Sequence, residues 1–405
     1  MTSAHEHPAG GDAPARPTST LLLLRAPSAN RVYADAAGPL AVREAVRVLE
    51  AHLGVPVTAR ERRIAGVDHL ELRADADRGE LARIAATLSS PFAAFEPVDG
   101  PVADPVDDSA ADPVDDSVEG PDPLLRAVAL PDPHRYGSDL ETTLRYPGKT
   151  NEQFTALLLN LAAAASERRA GLLDGTLRVL DPMCGRGTTL SRALRLGLSA
   201  TGADIDKADI EAYRAFLLTW MRTHRLKHTS DSGRLSSHGT VLGTRFVAEL
   251  APDKEARRAG RTQRLELLRC DTTRLGDALG SAGVDALVAD LPYGVQHGAR
   301  TGGALARSPL ATLAEALPVW RGLLRRDGGM ALALNRHTAP FDDAARTLEA
   351  AGFVVVSADG EFRHRVDQSI DRDVLVAVRT DHPRADLLRA GSVGAVAPSE
   401  ERNRS

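Results

Sequence analysis

The sequence predicts an α/β protein whose larger part is a doubly wound, mostly parallel sheet, joined to a small N-terminal α/β unit. Three observations carry this. Between residues 176 and 378, seven apolar runs rich in Val, Leu and Ala are separated mostly by amphipathic segments of helical period. Such alternation builds parallel strands covered on both faces by helices. The first four of these runs each end in an aspartate: Asp181, Asp204, Asp271 and Asp290. The first is also followed at once by a turn through Gly185 and Gly187.

In chain order, residues 1–19 are polar and rich in Pro, Gly and Ser, and are expected to be a disordered tail. Residues 20–98 form the small unit. "TLLLLRA" reads as a strand, and "PLAVREAVRVLEAHLG" as a helix with Leu40, Val42, Ala45, Val46, Leu49 and Leu53 on its apolar side. "VPVTARERRI" and "DHLELRA" read as strands flanking Ala65-Gly66, and "DRGELARIAATL" as a second helix. The order β-α-β-β-α suggests a ferredoxin-like half-split unit. Residues 99–123 repeat "ADPVDDS" at 103–109 and 111–117, too few and too short for a solenoid, so this stretch is an acidic, extended linker.

The larger domain is expected over 124–383. "TNEQFTALLLNLAAAA" opens it as a helix, with Thr150 as N-cap, Gln153 completing a capping box, and Phe154, Leu157, Leu158 and Leu161 on one face. The seven strands are "TLRVLD", "LSATGAD", "RLELLRCD", "GVDALVAD", "GMALALN", "FVVVSA" and "DVLVAV". No helix separates the last two, so the final strand is expected to be antiparallel. Residues 384–405 are expected to be a flexible tail.

Composition narrows the class. The chain has 405 residues, 43% of them apolar, and a formal net charge of −5. Nine acidic and no basic residues lie between Asp99 and Asp122, so the remainder of the chain is net positive. Two distant cysteines, Cys184 and Cys270, exclude a disulfide framework and a cysteine zinc site, and fit a reducing, cytoplasmic setting. No metal site is expected. No run approaches the ~18 apolar residues of a membrane helix, so no membrane partner is expected.

In an open parallel sheet the ligand sits beyond the carboxyl ends of the strands, where the four aspartates would converge. Gly185 and Gly187 permit close backbone approach and tight entry into the helix starting near Thr188. A dinucleotide fingerprint would require a small residue three positions after the second glycine, and Leu190 stands there. Asp204, 19 residues after Gly185, is spaced to grip ribose hydroxyls. The pattern therefore reads as adenosine and ribose without a pyrophosphate. After the fourth strand, "DLPYG" places a carboxylate, a rigid turn carbonyl and the ring of Tyr293 in succession. Two acceptors and a stacking ring suit an exocyclic amino group on a planar base. They would favour the tetrahedral nitrogen that attacks a methyl group in line.

"DPMCGRGTTL" and "DLPYG", with "LRYPGKTNEQFTALLLNLA" before them, resemble the Rossmann-like S-adenosylmethionine-dependent amino-methyltransferases of nucleic acid. More narrowly, they resemble the THUMP-associated tRNA guanine-N2 methyltransferases and the related large-subunit rRNA guanine-N2 enzymes, over roughly residues 140–380. The resemblance implies a seven-stranded Rossmann-like methyltransferase sheet and S-adenosyl-L-methionine as cofactor. It implies an RNA partner, tRNA before rRNA. Asp181, Cys184, Gly185, Gly187 and Thr188 would then line methionine and adenosine, Asp204 would hold the ribose, and Asp271 would face the adenine. Asp290, Pro292 and Tyr293 would hold the target base, with Asp290 also bordering the cofactor. A THUMP domain is not recognisable in residues 20–96.

Two basic stretches remain. Residues 221–264 hold ten Lys or Arg against four acidic residues, readable as a solvated loop or as an RNA-backbone clamp. "EFRHRVDQSIDRD" (361–373) carries Arg363, Arg365 and Arg372, which could meet phosphates, orient the base, or be ordinary hairpin charges.

Overall fold

A computed structural model describes residues 17–28, 31–98, 122–280, 283–292 and 308–393. Most of the expected N-terminal tail, the core of the acidic repeat, Tyr293 and residues 394–405 lie outside these ranges.

The first sheet contains β1 (Thr18–Arg25), β2 (Val57–Ile64), β3 (Val67–Asp75), β4 (Pro91–Val98) and β5 (Leu124–Val128). They are ordered β2-β3-β1-β4-β5 and every pairing is antiparallel. Helices Arg31–Leu53 and Arg78–Ala85 cover one face, where Leu21, Leu23, Leu70 and Leu72 meet Ala45, Leu49, Leu81 and Ile84. Leu21 and Leu23 of "TLLLLRA" and Leu70 and Leu72 of "DHLELRA" lie two apart and so share the face that meets these helices. The expected start of the larger domain at residue 124 needs correction. Leu124–Val128 is a strand of the first sheet, because its backbone pairs with β4 from Val98 back to Ala94.

The second sheet contains β6 (Arg178–Asp181), β7 (Ser199–Asp204), β8 (Lys227–Ser237), β9 (Thr240–Ala251) and β10 (Gln263–Arg269). It continues with β11 (Val284–Asp290), β12 (Leu324–Asn335), β13 (Phe353–Val355), β14 (His364–Arg365) and β15 (Asp371–Arg379). Its order is β13-β15-β12-β11-β6-β7-β10-β9-β8, with β14 pairing β15. The adjoining strands β10, β7, β6, β11 and β12 are parallel, while β15 runs antiparallel between β12 and β13. Strands such as β11 are buried on both faces, as their unbroken apolar runs require.

Among the described residues the sheet has ten strands rather than seven. The extra ones come from the polar segments of β8 and β14 and from β9, which pairs with both β8 and β10. Residues 227–251 form the β8–β9 hairpin on the edge of β10, so the basic stretch is not a loop. Residues 364–365 add the short β14. The expected flexible tail also begins with structure, since Ala385–Val393 is a helix with Ala385 buried. Among the described residues no helix is long and apolar enough to cross a membrane.

The two units pack against each other through helices Arg31–Leu53 and Glu152–Ala165, the latter lying across the large sheet. Almost every residue of the second helix is buried because it is covered on both sides. Polar contacts fix the junction. Buried Glu44 accepts from Ser89 N at 3.0 Å, Ser89 Oγ at 2.5 Å and Asn160 Nδ2 at 2.7 Å. Arg47 donates to both carboxylate oxygens of Glu361 at 2.8 Å.

Candidate functional site

The site forms where β6, β7 and β11 end. After Asp181 the chain turns with Cys184 N donating to Ala203 O at 2.8 Å and Gly187 N to Cys184 O at 2.7 Å. Gly187, at φ 73°, is the residue before helix Thr188–Arg195, in a left-handed conformation where a side chain would be strained. A Cβ there would also lie 2.7 Å from the Tyr213 ring. Gly202 on β7 meets a similar limit, since its Cβ would stand 2.4 Å from Leu190 Cδ1 and 3.0 Å from Cys184 Sγ. Strand, turn and helix therefore close on one another with no room for side chains at these points.

A cavity of about 530 Å³ opens at this turn, within the roughly 300–1,000 Å³ common for small-molecule sites. Its wall includes Asp181, Cys184, Gly185 and Thr188 from the β6 side, and Asp290 and Pro292 from the β11 side. Asp204 stands just behind the wall, with Oδ2 accepting from Gly185 N at 2.9 Å and Oδ1 from Asp206 N at 2.8 Å. Asp271 lies further along, where its Oδ1 caps the next turn by accepting from Thr273 N at 2.9 Å and Oγ1 at 2.7 Å. Neither Asp204 nor Asp271 borders the cavity itself. Tyr293 lies outside the described residues.

The electrostatics are acidic. Burial pushes the Asp181 carboxyl up to about 7, with hydrogen bonds from Thr189 and Met183 N opposing, and the fields of Asp204 and Asp290 adding to the rise. Asp204 is raised in the same direction, first by burial. Cys184, buried beside these carboxyls, is held well above the usual thiol range, which fits a packing role rather than a nucleophile. Among the described residues no cluster of His, Cys, Asp or Glu is placed to hold a metal ion.

Several wall residues escaped the sequence reading. Thr150 is not the N-cap of helix Glu152–Ala165. Asn151 takes that role, accepting from Gln153 N at 2.8 Å and Phe154 N at 3.1 Å. The Thr150 hydroxyl instead donates to Asp290 Oδ2 at 2.6 Å. Tyr146 reaches Thr188 Oγ1 at 3.0 Å, and the Arg186 guanidinium lies 4.9 Å from its ring centre. Ile205, directly after Asp204, is 71% exposed, an apolar surface available to a flat ring beside the acid. Arg363 pairs with Asp371, and Arg365 Nε donates to Asp367 O, so both are engaged within their own hairpin. Arg372 is buried and lies 3.7 Å from Asp290 Oδ2.

These residues suit a nucleoside carrying a positive centre. The glycine turn admits a ligand against the backbone, the carboxyls favour a cation, and the volume is sufficient. Residues 147–346 match the model of the RMKL-like methyltransferase domain family (UPF0020). No curated protein gives a significant match. Among solved structures, TrmN from Thermus thermophilus is 19% identical over 57% of this chain and 50% of that one, with a TM-score of 0.33. The chain thus spans half the length of TrmN. The TehB-like SAM-dependent methyltransferase from Corynebacterium glutamicum is 16% identical over 54% and 92%, TM-score 0.29. The rRNA methyltransferase aviRa from Streptomyces viridochromogenes is 17% identical over 63% and 94%, TM-score 0.34. The family match falls on the glycine turn and on the Asp290 turn together. Residues 147–346 thus resemble a methyltransferase domain of the RMKL-like kind, in keeping with the S-adenosylmethionine-dependent methyltransferases that the motifs resemble.

Proposed function

We propose that the protein transfers a methyl group from S-adenosylmethionine to an exocyclic amine of an RNA base, guanine N2 in tRNA before others. One observation carries this reading. The glycine turn after β6 and the Asp290–Pro292 turn after β11 border the same cavity, so a methyl donor and a base amine can meet there. The match to the RMKL-like methyltransferase family supports methyl transfer, and the motif resemblance to guanine-N2 enzymes favours RNA and guanine.

Bound S-adenosylmethionine supplies an electrophilic methyl on a sulfonium. The residues of this chain do the rest. Gly185 and Gly187 let the backbone approach the ligand, and Asp204 and Ile205 receive the ribose and the adenine edge. Asp181 contributes negative charge near the sulfonium. On the base side, Asp290 and the carbonyl preceding Pro292 accept the two amine hydrogens, while the Tyr293 ring stacks on the base. An aromatic amine is a poor nucleophile because its lone pair is delocalised, and two acceptors favour the tetrahedral nitrogen. As the N–C bond forms the S–C bond breaks, and the proton lost from nitrogen passes to Asp290 or to solvent. A paired base would have to leave its stack at a cost of about a few kcal/mol, least in loops and single strands.

The test is incubation with isotope-labelled S-adenosylmethionine and, separately, total tRNA, rRNA and genomic DNA, followed by digestion and mass spectrometry of nucleosides. N2-methylguanosine from tRNA is expected. Label in N6-methyladenine from DNA would assign the protein to adenine methylation. A working cofactor site without any labelled nucleoside would point to a small-molecule amine.

A further inference from the structure

We infer that Arg372 is a positioning residue that holds the Asp290 carboxylate in place, an inference that rests on the base-side reading of Asp290. The guanidinium lies 3.7 Å from Asp290 Oδ2, the same oxygen that accepts the Thr150 hydroxyl at 2.6 Å. Two groups from opposite sides of the site, one before helix Glu152–Ala165 and one on β15, thus grip one oxygen. That fixes the rotation of a side chain at the exposed end of β11.

Arg372 is itself held rigidly. It is 5% exposed, and its guanidinium carbon sits 4.7 Å from the centre of the Phe154 ring. Phe154 packs edge-on against Tyr33, which comes from helix Arg31–Leu53 of the first unit, and against His364 at 4.8 Å. Backbone pairing places Arg372 opposite both Asn335 on β12 and His364 on β14. A buried arginine costs several kcal/mol of desolvation unless it is paired. Its burial beside a carboxylate, on an aromatic face supported from two domains, argues that the pairing is the purpose of the arrangement.

The groups that face Asp290 differ in sign. Arg372 from β15 is a cation and Asp181 from β6 is a carboxyl whose own ionisation Asp290 opposes. His364 from β14 is pushed down to about 4 by burial and is neutral at pH 7. Arg372 is therefore a cation that stands at Asp290 against the charge of Asp181.

The deciding measurement needs no substrate. In the full-length protein the Asp290 side-chain carboxyl is followed by ¹³C NMR, assigned as the signal lost in Asp290→Asn. Arg372→Met should displace and broaden that signal as the side chain gains rotational freedom, and Arg372→Lys should restore most of its position. Arg372→Gln keeps a polar tip and serves if the Met variant does not fold. An Asp290 signal unchanged in either variant overturns the proposal. With total tRNA as acceptor, Arg372→Met should lower kcat with unchanged cofactor Kd and add no further loss to Asp290→Asn, whereas additive losses would count against it. If Asp290→Asn keeps full kcat, the base-side reading of Asp290 fails, and the NMR signal still judges the pairing on its own.

Discussion

Replacing Asp181 by Asn should make the ligand-free protein more stable at pH 8 and a poorer binder of S-adenosylmethionine. The carboxyl is 3% exposed, and burial is the first cause of its rise from 3.8 to about 7. A raised acid contributes stability that is fully present below its unfolded value and is lost as pH climbs through its folded value. The window here runs from about 4 to about 7. Between pH 5 and 8 the wild-type chain should lose about 2.5 kcal/mol from this group alone, since moving a pKa by one pH unit is worth ~1.4 kcal/mol. Subtracting the pH dependence of Asp181→Asn cancels every other titrating group. Thermal melts at pH 5 and 8 should therefore converge between variant and wild type at low pH, and at pH 8 the variant should melt several degrees higher. Binding should change in the opposite sense. A bound sulfonium lowers the Asp181 pKa, and each pH unit by which it falls is a factor of ten in affinity gained between pH 5 and 8. Calorimetry should show that gain for S-adenosylmethionine, less of it for neutral S-adenosylhomocysteine, and none in the variant. Identical pH dependence of stability in variant and wild type would refute the reasoning.

Asp290→Ala should lower turnover with cofactor affinity held within a few-fold, because its proposed contact is on the base side; loss of such a transition-state contact costs ~2.7–4 kcal/mol, about two to three decades in kcat. Asp204→Ala should weaken both S-adenosylmethionine and S-adenosylhomocysteine, read by calorimetry, since the acid accepts from Gly185 N in the turn and is proposed to face the ribose. Arg257, Arg258, Arg261 and Arg264, replaced together, should leave the salt dependence of RNA binding nearly unchanged. They lie where β9 returns to the amino end of β10, across the sheet from the crevice. A fall of ~0.7–0.9 in the log–log slope for each arginine replaced would show instead that RNA wraps that edge.

The parts of the site legible in the sequence are those that local backbone chemistry dictates. A strand-ending Asp, a glycine turn entering a helix and a Leu-Pro turn each have to occur within a few residues, so spacing alone finds them. Asp181, Gly185, Gly187 and Asp290 were readable for that reason. What spacing could not show is which distant segments lean on these residues. Thr150 has every local feature of an N-cap, yet Asn151 caps the helix and the Thr150 hydroxyl turns to Asp290, 140 residues away. Arg372, in a stretch of alternating charges, reads like its neighbours Arg363 and Arg365. Only the pairing of β15 with β12 and β14 buries it while leaving the other two on the hairpin surface. The β8–β9 hairpin was hidden differently. An edge strand buries little, so "KHTSDSGRLSS" lacks the apolar run that marks β11, and its pairing is set by backbone register with β9. That hairpin also changes where an RNA-contacting charge should be sought. Thr240–Gly243 run past Arg269, the last residue of β10, so the hairpin tip, with exposed Arg234 and His238 near it, projects on the crevice side. Residues 254–264, though rich in arginine, lie at the other end of the same insertion. Topology, not composition, decides which of its charges lie on the crevice side of the sheet.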